Sequence, residues 1–148
     1  MLQYLSIMKR ILRSLAETKK SAKQFVKTLR PGDVVVLRGN LGAGKTTFTS
    51  AVAAVLGAKE VSSPTFALLQ TYPTKHKTIQ RIHHLDLYRL RRDEDLREVG
   101  IEEILSDPEA VVFIEWGERL GKYTPKKAIN IYFEHHGKTQ RKVTINRK

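Results

Sequence analysis

The stretch "VVVLRGNLGAGKTTF", Val34 to Phe48, constrains this chain more than any other. Its first four residues are a continuous apolar run, as in a strand buried on both faces of a parallel sheet. A glycine-rich turn follows with the spacing G-x-x-x-x-G-K-T, formed by Gly39, Gly44, Lys45 and Thr46. Beyond it, Phe48, Val52, Val55 and Leu56 recur at helical spacing and Gly57 ends the run, giving a helix over about Lys45 to Leu56. Strand, glycine turn and helix in that order form a phosphate-binding unit. The glycines allow the backbone N–H groups to point inward, and the helix start adds its positive dipole end. Lys45 can reach the β- and γ-phosphates and the Thr46 hydroxyl can ligate Mg²⁺, so the expected ligands are ATP or ADP with Mg²⁺.

The remaining periodicity completes an α/β layout. An amphipathic helix is expected over about Glu17 to Leu29, broken by Pro31 and Gly32. Phe66 to Tyr72 and Thr78 to Leu87 read as strands, and 91–107 as charged helix divided at Gly100. Ala110 to Trp116 is a second buried-strand signal. The alternation of Ile129, Ile131 and Phe133, then Val143 and Ile145, predicts a terminal hairpin around "HHGKTQ". The expected fold is a P-loop NTPase-like α/β sandwich whose central sheet is mixed and only partly parallel, flanked by helices. Residues 1–148 fit a single domain, with 1–9 expected as a loose N-terminal extension.

A P-loop hydrolase needs an acid at the end of a neighbouring strand. "VVFIE" ends in Glu115 and "RIHHLD" in Asp86. An unpaired buried charge is costly, so carboxylates there suggest metal or water positioning, with structural ion pairs as the alternative. Which of the two meets the metal directly is left open by the spacing. Catalytic roles therefore fall on Lys45, Asp86 and Glu115. Phosphate contacts fall on Leu41, Gly42, Ala43, Gly44, Lys45, Thr46 and Thr47. Trp116 reads as core, or as a surface aromatic that caps the nucleotide site or contacts a partner. His83 and His84 are adjacent on a strand, face opposite sides and cannot chelate one ion together. Packed or solvated histidines are the better account of them and of His135 and His136.

The chain has no cysteine, which excludes disulfides and thiolate sites and fits a reducing cytoplasm. No apolar run is long enough to span a bilayer, so no membrane association is expected. The formal charge of +12 favours encounters with polyanions or acidic partners, although no RNA-binding aromatic signature accompanies it.

Taken together, "PGDVVVLRGNLGAGKTTF", "SSPTF", "HLDLYRL" and "IEW" resemble the TsaE (YjeE) family of small P-loop ATPases. The four motifs occur in order over about Ser14 to Trp116. The resemblance implies a weak ATPase stimulated by partners and accessory to the TsaB–TsaD complex. That complex attaches a threonylcarbamoyl group to the adenosine beside the anticodon of tRNA. It further implies phosphate-loop roles for Leu41 to Thr46 and a magnesium-ligand role for Glu115. Asp86 would orient water or the metal shell, and 63–66 would be a switch-like loop with Thr65 as its polar candidate. Trp116 would be functionally sensitive, and Thr18 would lie near the adenine. Two departures stand out. Asn40 replaces the aspartate usual in the loop, and Gly117 stands where a proline often follows "IEW". Two other readings compete: a small-molecule kinase using Arg89, Arg91 and Arg92 as a lid, and a nucleotide-gated RNA-binding module.

Overall fold

The computed structural model describes residues 6–40, 42–59 and 68–147. The elements run β1 (Ser6–Leu12), α1 (Leu15–Val26), β2 (Val34–Arg38), α2 (Lys45–Val55), β3 (Leu69–Pro73), β4 (Arg81–Asp86) and α3 (Asp93–Glu98). They continue with α4 (Ile101–Leu105), β5 (Ala110–Glu115), a 3₁₀ segment (Gly117–Tyr123), β6 (Ile129–His136) and β7 (Gln140–Arg147). One seven-stranded sheet has the order β1-β7-β6-β2-β5-β4-β3. Its central pairs, β6–β2, β2–β5 and β5–β4, are parallel. The outer pairs β1–β7, β7–β6 and β4–β3 are antiparallel. This is the mixed, partly parallel P-loop architecture that the strand signals predict.

β2 shows why an unbroken apolar run is needed at the centre. Val35 and Leu37 face a core with Phe25 of α1 and Phe48, Val52 and Leu56 around α2. Val34 and Val36 face a second core with Leu96, Ile101 and Ile104 from α3 and α4. The helices therefore cover opposite faces of the sheet. Phe48 joins its side together, with its ring centroid 5.6 Å from those of both Phe25 and Phe133. Truncating so large a buried side chain to alanine costs about 3–5 kcal/mol.

α1 begins two residues before the expected boundary because Ser14 caps it, its Oγ accepting the Glu17 N–H at 3.2 Å. It ends at Val26, ahead of the expected Leu29. The charged stretch after β4 is divided at Gly100 as expected, into two short helices, with Gly100 between them at φ 76°. Of the two expected middle strands, the described part of the first is Leu69–Pro73 and the second shortens to Arg81–Asp86. Residues 66 and 67 lie outside the described residues. Of the expected loose 1–9 extension, residues 1–5 lie outside the described residues and 6–9 are corrected: Ser6–Leu12 forms an edge strand along β7, from Ser6 opposite Arg147 to Leu12 opposite Arg141. No helix among the described residues is long and apolar enough to cross a membrane.

Candidate functional site

The loop between β2 and α2 is shaped by glycines in conformations that other residues rarely adopt. Gly42 has φ 76° and Gly44 φ 104°. Gly39 has φ 147°, and a Cβ there would sit 2.5 Å from the Phe133 carbonyl oxygen. Gly39 thus lets the loop lie directly against β6. Ala43 donates its N–H to the Asn40 carbonyl at 3.1 Å, closing a turn. This contact uses Asn40's backbone, so it does not depend on the missing acid. Gly44 is the N-cap of α2 and supplies no side-chain cap, and the first turn carries no acid. The N–H groups of that turn are therefore left to an external anion. Gly42, Ala43, Gly44, Thr46 and Thr47 line this concavity, while Leu41 lies outside the described residues.

Lys45 is buried, its Nζ donating to the Gly39 carbonyl at 2.5 Å. The ammonium also lies 4.6 Å from the ring centroid of Trp116. Thr46 Oγ1 donates to Glu115 Oε1 at 3.2 Å, and Glu115 Oε2 meets His84 Nε2 at 3.1 Å. Glu115 is 4% exposed and His84 fully buried. An ionised carboxylate only accepts, so its contact assigns the His84 proton to Nε2. His84 Nδ1 is then a buried acceptor without a hydrogen-bond partner. Asp86 stands directly opposite Glu115 in the β4–β5 register and accepts the Tyr88 N–H at 3.0 Å. A cavity of about 250 Å³ brings together Lys45, Thr46, Thr47, Asp86, Glu115 and Trp116.

Trp116 sits half-buried over this cavity, its ring 5.0 Å from that of Tyr88. It is the one non-glycine with positive φ (62°) among the described residues, so the chain bends sharply as it leaves β5. Gly117 follows because a Cβ there would lie 2.4 Å from Val36 Cγ1. On the other side of the loop, a groove of about 260 Å³ includes Ser14, Thr18, Phe133, Thr139 and Arg141. Arg141 Nη2 donates to the Gly42 carbonyl at 3.2 Å. Thr18, which the family resemblance puts near the adenine, lines this groove, and so does Arg141, whose only signal in the sequence is a cation on an outer strand. His84, expected as a packed or solvated histidine, is instead bonded to the strand-end acid Glu115.

His83 turns to the opposite side of β4, with Nε2 2.8 Å from Asp107 and Nδ1 2.9 Å from Thr71 Oγ1. Arg81 grips the same Asp107 through Nε at 2.7 Å and Nη2 at 3.1 Å. The Arg81 guanidinium, aided by His83 and the Glu109 N–H, holds the Asp107 carboxyl well below the usual carboxylate range. His135 and His136 are exposed at the hairpin end. No group of three or more His, Cys, Asp or Glu among the described residues could hold a metal by itself. The Ser62–Phe66 motif, with Thr65, lies outside the described residues.

The chain matches the family model described as "Threonylcarbamoyl adenosine biosynthesis protein TsaE" over residues 12–143. A Rickettsia bellii protein described as tRNA threonylcarbamoyladenosine biosynthesis protein TsaE is 44% identical over 123 residues, covering 82% of each chain. The Bacillus subtilis protein of the same description is 33% identical over 130 residues, covering 87% of this chain and 78% of that one. The crystal structure of YdiB from Bacillus subtilis superposes with a TM-score of 0.77 at 27% identity, covering 99% of this chain and 88% of the other. Since the family model spans both strand-end acids, the phosphate loop and most of the sheet, the chain belongs to the TsaE family of threonylcarbamoyl adenosine biosynthesis proteins.

Proposed function

We propose that this protein is a Mg²⁺-dependent ATP hydrolase that supports threonylcarbamoylation of the adenosine beside the anticodon of tRNA. It does so as an accessory of TsaB and TsaD. The observation that carries the hydrolase reading is the chain Thr46–Glu115–His84 beside an uncapped helix start, with Asp86 across the same cavity. Mg²⁺ is commonly held by one or two carboxylates together with phosphate oxygens and water. The Thr46 hydroxyl and Glu115 Oε1, 3.2 Å apart, are hard oxygen donors of that type. When bound, the ion neutralises charge that develops on the β- and γ-phosphate oxygens.

The protein's own groups do the positioning. The N–H groups of 42–47 and the α2 dipole hold the phosphates, and Lys45 exchanges the Gly39 carbonyl for a phosphate oxygen. Glu115, fixed by His84, keeps its Oε1 turned toward Thr46. Asp86, less buried than Glu115, orients the attacking water from the open side. The 63–66 segment with Thr65 serves as the loop that senses the γ-phosphate. Of the three arginines of the competing kinase reading, Arg92 is bound to Asp95 at 3.2 Å at the start of α3.

The test is phosphate release with ATP and Mg²⁺, measured alone and with TsaB and TsaD. Slow turnover that rises on adding the partners is the expected result. Transfer of phosphate to an added metabolite instead of water would overturn the hydrolase reading. No change on adding TsaB and TsaD would overturn the accessory role.

A further inference from the structure

Two segments of this chain carry opposite charge. Residues 6–30 carry eight lysines and arginines against one acid, Glu17. Residues 93–109 carry eight carboxylates against one cation, Arg97. α1 covers one face of the sheet and α3 with α4 the other, so the lysines of α1 and the carboxylates of α3 and α4 lie on opposite sides.

We propose that the outer face of α1, with the adjoining edge of β1, binds the phosphate backbone of RNA. Lys19, Lys23 and Lys27 recur every four residues and form one row, with a rise of about 6 Å per step. Like charges at that spacing oppose helix formation. These three lysines and Lys20 are exposed, and none has an ion pair among the described residues. Glu17, the one acid of the segment, makes no ion pair with them among the described residues, and its Oε2 accepts the Arg13 N–H at 2.5 Å. A groove of about 240 Å³ between β1 and α1 is lined by Arg10 and Lys20 together with Glu17. Arg147 carries the charge on to β7 by bonding to the Thr28 side chain.

Between Lys19 and Arg30 no large apolar side chain is exposed; the exposed ones on these two elements, Leu15 at the start of α1 and Met8 on β1, lie outside the lysine row. Protein interfaces draw most of their energy from apolar and aromatic anchors, whereas phosphate contacts need only cations. RNA is named over other polyanions on the strength of the proposed role in tRNA modification, and the inference rests on that reading. Contacts of this kind position a nucleic acid without reading its sequence. Ser14 and Thr18 of the same segment line the groove beside the phosphate loop, so bound RNA would lie next to the nucleotide site.

The experiment measures binding of an unmodified tRNA transcript to the full chain without nucleotide, over a salt series starting at about 50 mM. The variants are K19E/K23E/K27E, the neutral K19Q/K23Q/K27Q, and E102K/E103K on the opposite side. The triple charge reversal should weaken binding at least about tenfold and reduce the slope of log affinity against log salt by about 2. The neutral set should fall between it and the parent, and E102K/E103K should leave the slope unchanged. The proposal is overturned if the parent does not bind at low salt, or if the triple variants keep its slope. Loss of stimulation by TsaB and TsaD with RNA binding intact also overturns it, assigning the face to an acidic protein. ATP turnover of the same samples separates the two readings: absent turnover in the parent sinks the hydrolase and leaves the RNA site standing.

Discussion

His83 and His84 are neighbours on β4, and each meets a carboxylate, Asp107 at 2.8 Å and Glu115 at 3.1 Å. Asp107 also receives two guanidinium bonds from Arg81 and the Glu109 N–H, so both its oxygens are satisfied within the protein. Glu115 has no such cation. One oxygen takes the His84 donor, and the other is left to the Thr46 hydroxyl, itself a group suited to a metal. Period-two alternation sends the first histidine to a closed clamp and the second to the phosphate loop. A histidine beside a carboxylate therefore says little by itself. What distinguishes the two is whether the acid's remaining oxygen is already committed.

Four measurements would break or sharpen that contrast. Glu115→Gln should lower Mg²⁺-dependent turnover by about a hundredfold or more, since under the proposed function it removes charge where the phosphates would react. Its thermal midpoint should hold or rise, because a buried charge without a cation partner is lost. A fall in stability with turnover intact would make Glu115 structural. His84→Gln should next raise the Mg²⁺ needed for half-maximal rate by about tenfold, with part of the rate restored at saturating Mg²⁺. An unchanged Mg²⁺ dependence would remove His84 from the site. Asp107→Asn should leave turnover within about twofold and lower the melting temperature by several degrees, as expected when a charged hydrogen-bond network is opened.

The smallest effect concerns pH. Arg81 and His83 depress the folded-state pKa of Asp107 below the unfolded value of about 4. The stability it contributes is therefore complete above about pH 4 and is lost as pH falls toward the folded value. Denaturant midpoints between pH 7 and pH 3 should show that acid-side decline in the parent and a flatter curve in Asp107→Asn. Equal slopes would dismiss the clamp.

The parts of this site that could be read in advance were those formed by short spans of chain. β2, the glycine loop and α2 are contiguous, and the acids Asp86 and Glu115 each close an apolar run. What could not be read arises from pairing between distant strands. His84 and Glu115 are 31 residues apart, and Arg141 reaches Gly42 across 99. Alternation along a strand says which side a residue takes, yet not which partner waits there. β1 escaped notice for another reason. Arg10 lies opposite Val143, on the core-facing side, so the strand lacks the clean apolar stripe that marks its neighbours.

Trp116 is the single tryptophan of the chain, held between the Tyr88 ring and the Lys45 ammonium. A positive charge against an indole alters its excited state, and in the proposed cycle that ammonium leaves the ring's vicinity when phosphate arrives. The protein thus carries a built-in optical reporter whose emission should change on nucleotide addition and revert on release. The bend at φ 62° that places the ring there also makes occupancy of the loop visible without any label.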